Sequence, residues 1–245
     1  MKFLILAAGS GTRLGKQTET IPKALVKIKE KTILERQLDI IKNQNGNEVI
    51  VIAGPNKEKF FEFQVNVFYD NEFSKHEQLG SLISINEIFD EDVIVIFSDI
   101  IFDESVLDRI IKTNCDFGIA IDKNWEEKYI GRTQHPRSQA DLVVLEENKI
   151  KKIKKNLKEK NTLEFIGITK FSSHGWKIFI ELCKRLKKEH KGNFHDAEVF
   201  NQAYITDIFQ ELLDLNYDIT PILIDGNWIE IDTPQDIEIA NQRLN

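Results

Sequence analysis

The sequence predicts an α/β fold built on a mixed, mainly parallel sheet with helices on its faces. Three observations lead there. Apolar runs of strand length recur at Phe3–Leu6, Glu48–Ala53 and Asp92–Phe97, too short for buried helices. Stretches with helical spacing separate them, the first opened by the capping box Thr32–Glu35. Strands that alternate with helices pair in parallel through crossovers. Such sheets bind ligands beyond the carboxyl ends of their strands.

The elements follow in order. Phe3–Leu6 runs straight into Ala7-Ala8-Gly9-Ser10-Gly11. Glycine allows a sharp turn and close backbone approach, and successive N–H groups at a strand end form an anion-binding concavity. Arg13 and Lys23 set two cations beside it, one a planar fork and one a point charge, both suited to phosphate oxygens. A polyphosphate is the simplest ligand, and an ordinary glycine-rich turn the bland alternative. The loop is neither a dinucleotide fingerprint, since Leu14 stands at the third glycine position, nor a P-loop, since no Gly-Lys-Ser/Thr follows. Ile33, Leu34, Leu38 and Ile41 share one helix face. Glu48–Ala53 is the second strand and Val65–Tyr69 a third. Asp70–Gln78 is loop-like, and Leu79–Ile88 reads as a helix with Gln78 and Ser81 at its start, where both suit a helix-start role.

Asp92–Phe97 is the clearest central strand and ends in Ser98-Asp99. Asp103 suits the cap of the next helix, with Val106, Leu107, Ile110 and Ile111 on one face, which frees Asp99 to bind a ligand. Asp116–Ile121 is another strand. Gln139–Asn156 reads as two strands around Glu146-Glu147-Asn148, and Thr162–Phe171 as one more. Trp176, Phe179, Cys183 and Leu186 keep helical spacing, and Ala203–Leu213 is a second late helix. After a strand at Asp218–Asp225, Glu230 and Asp232 lie two apart, on one side of any strand. Two such carboxylates repel unless a cation or base stands between them. Thr233-Pro234 caps and starts the last helix.

The 245 residues fit one domain, 1–245, with an insertion at about 122–165. Net charge is −7, which argues against broad attraction to nucleic acid or anionic lipid, so an anionic substrate must meet local cations. The lysine run Lys149–Lys160 is read as a solvated face. Cys115 and Cys183 lack metal-ligand spacing and read as free thiols in a reducing compartment. No stretch is long enough to span a membrane, and a cytoplasmic location is expected. His174, His190 and His195 show no ligand pattern.

The string L-A-A-G-x-G-x-R-L-G, followed by P-K-A-L, resembles the nucleotidyltransferases that join NTPs to sugar phosphates and related acids. The resemblance extends through W-x-E-I-D-T-P-x-D near the end and covers Phe3 to about Ala240. It implies a Rossmann-like sheet of the nucleotide-diphospho-sugar transferase type. It also implies nucleotide contacts from Leu6, Ala7, Ala8, Gly9, Gly11 and Thr12, with Arg13 and Lys23 as the catalytic cations. Gln78 and Ser81 fall where the family reads the base, and an amide and a hydroxyl can meet both donors and acceptors of cytosine. Asp99 and Asp232 match the family's metal ligands, with Glu230 nearby, and Mg²⁺ suits such hard oxygens.

Asp122-x-x-Trp125-x-x-x-Tyr129-x-x-Arg132 resembles a narrower group, the cytidylyltransferases that act on small phosphonates such as 2-aminoethylphosphonate, with phosphocholine cytidylyltransferases as relatives. Arg132 can meet phosphonate oxygens, Asp122 an ammonium, and an aromatic face a cation. Trp125 and Tyr129 can equally be packing. Lys155 stands near the family's acceptor-phosphate lysine. Glu164 lies in a string similar to the family's G-E-F-I-G strand, with Leu163 at its first glycine. The reading is a Mg²⁺-dependent transfer from CTP to 2-aminoethylphosphonate, 2-hydroxyethylphosphonate or phosphocholine with release of pyrophosphate, and a homodimer is allowed. The alternatives are a sugar-1-phosphate nucleotidyltransferase and a non-catalytic nucleotide sensor.

Overall fold

The computed structural model describes residues 1–44, 48–155 and 157–244. In chain order the strands are β1 (Lys2–Ala7), β2 (Lys27–Ile28), β3 (Lys31–Thr32), β4 (Glu48–Ala53), β5 (Asn66–Tyr69), β6 (Val93–Phe97), β7 (Ile100–Phe102), β8 (Phe117–Asp122), β9 (Asp141–Glu146), β10 (Lys149–Lys155), β11 (Leu163–Phe171), β12 (Thr220–Ile224) and β13 (Trp228–Glu230). The helices are α1 (Ile33–Asn43), α2 (Gln78–Ser84), α3 (Glu104–Lys112), α4 (Ser173–Glu189), α5 (Ile205–Asp214) and α6 (Pro234–Arg243).

Among the described residues nine strands form the main sheet in the order β10-β9-β11-β6-β1-β4-β5, with β8 beside β11 and β12 beside β8. β6, β1, β4 and β5 run parallel, whereas β11 is antiparallel to its neighbours. The sheet is thus mixed and mainly parallel in its N-terminal half. The two-residue strand period sorts β1 into two layers. Leu4 and Leu6 pack with α2, α4 and α5 residues such as Leu79, Phe179 and Phe209. Phe3 and Ile5 pack with Leu34, Ile41, Leu107 and Ile110 from α1 and α3.

α1 starts at the capping box foreseen for Thr32 and Glu35, with both reciprocal bonds made. α2 is shorter than the Leu79–Ile88 reading, and the chain leaves helical order after Ser84. The stretch 122–165 adds β9 and β10 to one edge of the main sheet, and Asn156, the end of that two-strand reading, lies outside the described residues. Both cysteines are free thiols. Among the described residues no helix is long and apolar enough to cross a membrane.

A second ladder positions the chemistry. β7 follows β6 after a two-residue turn and pairs antiparallel with β13, and the ladder closes with Ile231 N–H donating to the Asp99 carbonyl at 2.8 Å. β7 was not expected: its three apolar residues lie between the Ser98-Asp99 turn and the Asp103 cap and are too few to show a strand period.

Candidate active site

A cleft of about 490 Å³ opens at the carboxyl ends of β1 and β6. Leu6, Ala8, Gly9, Gly11, Thr12, Arg13 and Lys23 line it together with Gln78, Ser81, Asp99 and Asp232. Gly11 sits at φ +62°, a left-handed position that favours glycine. Thr18 Oγ1 donates to the Gly11 carbonyl at 2.8 Å and pins the loop.

Asp99 and Asp232 meet on one cation. Lys23 Nζ lies 2.9 Å from Asp99 Oδ2 and also contacts Asp232 Oδ1. Arg13 approaches the other Asp232 oxygen at 2.8 Å. Burial works against charge on Lys23, but the fields of Asp99, Asp232 and Glu230 prevail and raise its pKa. Burial likewise opposes ionisation of Asp232, yet His135, Lys23 and Arg13 outweigh it and hold the carboxyl well below the usual range. Glu230 goes the other way, pushed up to about 7 by burial and the charge of Asp232.

The base required between Glu230 and Asp232 is His135. Its Nδ1 lies 3.0 Å from Asp232 and its Nε2 3.6 Å from Glu230. The three offer ligand atoms within 4.8 Å of one another. Asp99 is tied to this group through Lys23. His135 was passed over in the sequence because the signal was indirect: it lies in the chemistry-bearing stretch after Arg132, and nothing in its spacing names a partner a hundred residues away. Phe73, Ser74, His76, Glu77 and Tyr204 also line the cleft without having been singled out.

Several expected contacts lie elsewhere. Ala7 faces the α1–α3 layer, because strand alternation turns it away from its cleft-lining neighbours. Asp122 is fully buried. Its oxygens accept from the Trp228 indole at 2.7 Å, Asn124 N–H at 2.9 Å and Gly226 N–H at 3.2 Å, so it braces the β8 end and holds no ammonium. Trp125 is packing: its indole donates to the Thr162 carbonyl at 2.8 Å and its ring meets Tyr129 edge-on. Arg132 is sealed beneath α6, 2.8 Å from Asp236 and 3.4 Å from Glu230, and does not reach out to a phosphonate. Lys155 stacks 4.1 Å over the Tyr204 ring at the cleft rim.

A second, smaller cavity of about 30 Å³ lies behind Asp99. Tyr129, Gln139, Asp141, Glu164, Trp228 and Glu230 are among its walls. Tyr129 donates to Glu164 Oε1 at 2.5 Å. Burial, then the charge of Glu230, raises the Glu164 pKa well above the carboxylate range. Burial pushes Asp141 up to about 6 against the pull of Lys155.

The glycine loop, two remote aspartates and a shared cation meet at the sheet's carboxyl edge, and residues 3–159 match the MobA-like NTP transferase domain. The chain belongs to that family of nucleotidyltransferases. It is 26% identical to the CTP:phosphoglutamine cytidylyltransferase of Campylobacter jejuni over 99% of this chain and all of that protein. It is 36% identical to the choline-phosphate cytidylyltransferase of Streptococcus pneumoniae over 36% of this chain and 40% of that one. The solved structure of the CTP:phosphocholine cytidylyltransferase from Streptococcus pneumoniae superposes with a TM-score of 0.75 at 20% identity, covering 100% of this chain and 99% of the other. That likeness is one of fold.

Proposed function

We propose that this nucleotidyltransferase uses CTP, transfers the cytidylyl group to a small phosphonate or phosphate ester, and releases pyrophosphate. The observation that carries the reading is the convergence of Asp99 and Asp232 on Lys23 at the mouth of the glycine loop. The names of its relatives in Campylobacter jejuni and Streptococcus pneumoniae favour CTP and a small phosphorylated acceptor.

The donor set fits a divalent cation. Asp99 Oδ1 is buried without a protein partner, and Asp99 and Asp232 already share a positive group. Mg²⁺ held by these two, with Glu230 and His135 alongside, would supply neutralising charge for the α-phosphate and the acceptor oxygen. The chain's own residues do the rest. Loop N–H groups and Arg13 hold the triphosphate. Lys23 moves from carboxylates to phosphate, since one ammonium serves either. Gln78 and Ser81 face the base. The acceptor oxygen attacks the α-phosphorus in line, forming the new P–O bond as the bond to pyrophosphate breaks. It is already ionised near neutral pH, so no general base is needed, and alignment and charge neutralisation supply the rate.

The test is pyrophosphate release with CTP or UTP, crossed with phosphonates, phosphocholine and glucose 1-phosphate. Release with CTP and a small acceptor, lost in a folded Asp99→Ala variant, is expected. A preference for UTP with glucose 1-phosphate, or normal turnover by Asp99→Ala, would remove the reading.

A further inference from the structure

We propose that the cavity behind Asp99 is the acceptor's amine site, and that it selects a primary ammonium over both a hydroxyl and a trimethylammonium. This rests on the reading of the cleft as a cytidylyltransferase site.

The decisive observation is a set of carboxylate oxygens without partners. Glu164 is only 3% exposed, and its Oε2 is buried with no hydrogen-bond partner. Asp141 Oδ1 is in the same condition, and Asp99 Oδ1, also unpartnered, is left to the divalent cation. All three residues wall the one cavity, with Glu230 beside them. Unpaired buried carboxyl oxygens are costly; burial favours the neutral acids of Glu164 and Asp141 while the site is empty, and an N–H donor carrying positive charge would both ionise and pair them. An ammonium offers three such donors. A hydroxyl offers one and no charge. Asp99 also lines the main cleft, so a ligand whose acidic group reaches the nucleotide can place a tail two or three bonds away in the cavity.

Size and aromatic geometry then separate ammonium from trimethylammonium. About 30 Å³ has room for one or two water-sized groups, which suits an ammonium better than a trimethylammonium. A trimethylammonium, which donates no hydrogen bond, would leave the orphaned oxygens unpaired and would need free aromatic faces. The nearby aromatics already carry the protein's own cations: Arg132 over Tyr129 at 4.9 Å, Arg137 over Trp125 at 5.0 Å, Lys128 over Trp228 at 6.0 Å and Lys155 over Tyr204 at 4.1 Å. Trp125 and His135 also press on the Tyr129 ring. The residues that suggest an aromatic cage in the sequence are already occupied, and the carboxylates remain.

The experiment is an acceptor panel on the whole protein with CTP and Mg²⁺: 2-aminoethylphosphonate, ethanolamine phosphate, 2-hydroxyethylphosphonate and phosphocholine. The two primary amines should exceed the other two in kcat/KM by about 10- to 100-fold, the worth of a charge-assisted hydrogen bond. Glu164→Gln should erase most of that preference through KM for the amine while KM for CTP stays unchanged. Asp141→Asn should do the same if Glu164→Gln fails to fold. Phosphocholine or the hydroxy acid turning over as well as the amines, or a preference untouched by either substitution, would overturn the proposal. So would CTP binding, seen by calorimetry, with no turnover of either amine. Failure to bind CTP at all would instead overturn the reading of the cleft, and this inference with it.

Discussion

The Ile231 N–H donates to the Asp99 carbonyl across 2.8 Å, and that bond joins the two halves of the site. Asp99 ends the turn after the central strand β6, and Ile231 immediately precedes Asp232. One backbone bond therefore fixes the separation of two acids that are far apart in the chain. The apolar side chain of Ile231 is buried with Leu14, Ile28, Ile101 and Ile237, so burial of that small cluster also holds the acids in place.

Asp99→Asn keeps the shape of the side chain and removes its charge. We expect a folded protein whose kcat falls by about 10²–10³-fold or more, the scale of losing a group that stabilises transition-state charge. Circular dichroism and a pyrophosphate-release assay on the same preparation would check this; activity within tenfold of the parent would exclude Asp99 from the chemistry.

Gln37 controls the same turn from below. It is buried on α1, and its Nε2 donates to the Phe97 carbonyl at 2.9 Å and the Ile100 carbonyl at 2.7 Å. Gln37→Leu fills the space but strands both carbonyls. A loss of about 1–3 kcal/mol in urea unfolding is expected. A drop in kcat beyond what instability explains should accompany it, because Asp99 is no longer aimed. An unfolding curve matching the parent would show that the two bonds do not hold the turn.

Much of this arrangement was legible in the sequence, and the part that was not has a common cause. Lys23, Asp99 and Asp232 could be named because each sits in a long motif or at a strand end. Asp122, Trp125 and Arg132 were also conspicuous, yet spacing cannot say whether a polar side chain faces a ligand or the interior. Their partners, Trp228, Thr162 and Asp236, come from distant segments, and only folding shows that the carboxylate, indole and guanidinium are already committed. His135 was hidden for the same reason. Ala7 is a local error: the two-residue alternation of β1 sends it to the opposite layer from Leu6 and Ala8.

Gly167 tests the fold beside the site. It lies at φ +80° within β11, and a Cβ there would stand 2.5 Å from the Phe97 ring. Phe97 is also a wall of both the cleft and the inner cavity. Gly167→Ala combines left-handed strain with a clash, for a cost of about 2–4 kcal/mol. The denaturation midpoint should fall accordingly, and KM for the acceptor should rise as the ring moves. A neutral effect on both would mean that β11 relaxes there freely.

Asp141 gives a pH dependence with a defined sign. Burial raises its pKa from 3.8 to about 6 in the folded protein, so the folded state holds this proton more tightly than the unfolded chain does. Its contribution is therefore most favourable below about pH 4 and is lost as pH rises through about 6. Asp141→Asn cannot ionise and escapes that loss. Relative to the parent, its stability should be little changed at pH 4 and higher by about 1–3 kcal/mol at pH 8. Urea titrations at the two pH values would check it; a gain that did not grow with pH would rule out the buried carboxylate as its source. The same substitution should weaken use of an amine acceptor. The parent would then keep a destabilising acid because the acceptor's ammonium needs it, a conflict between stability and function of the kind binding sites commonly carry.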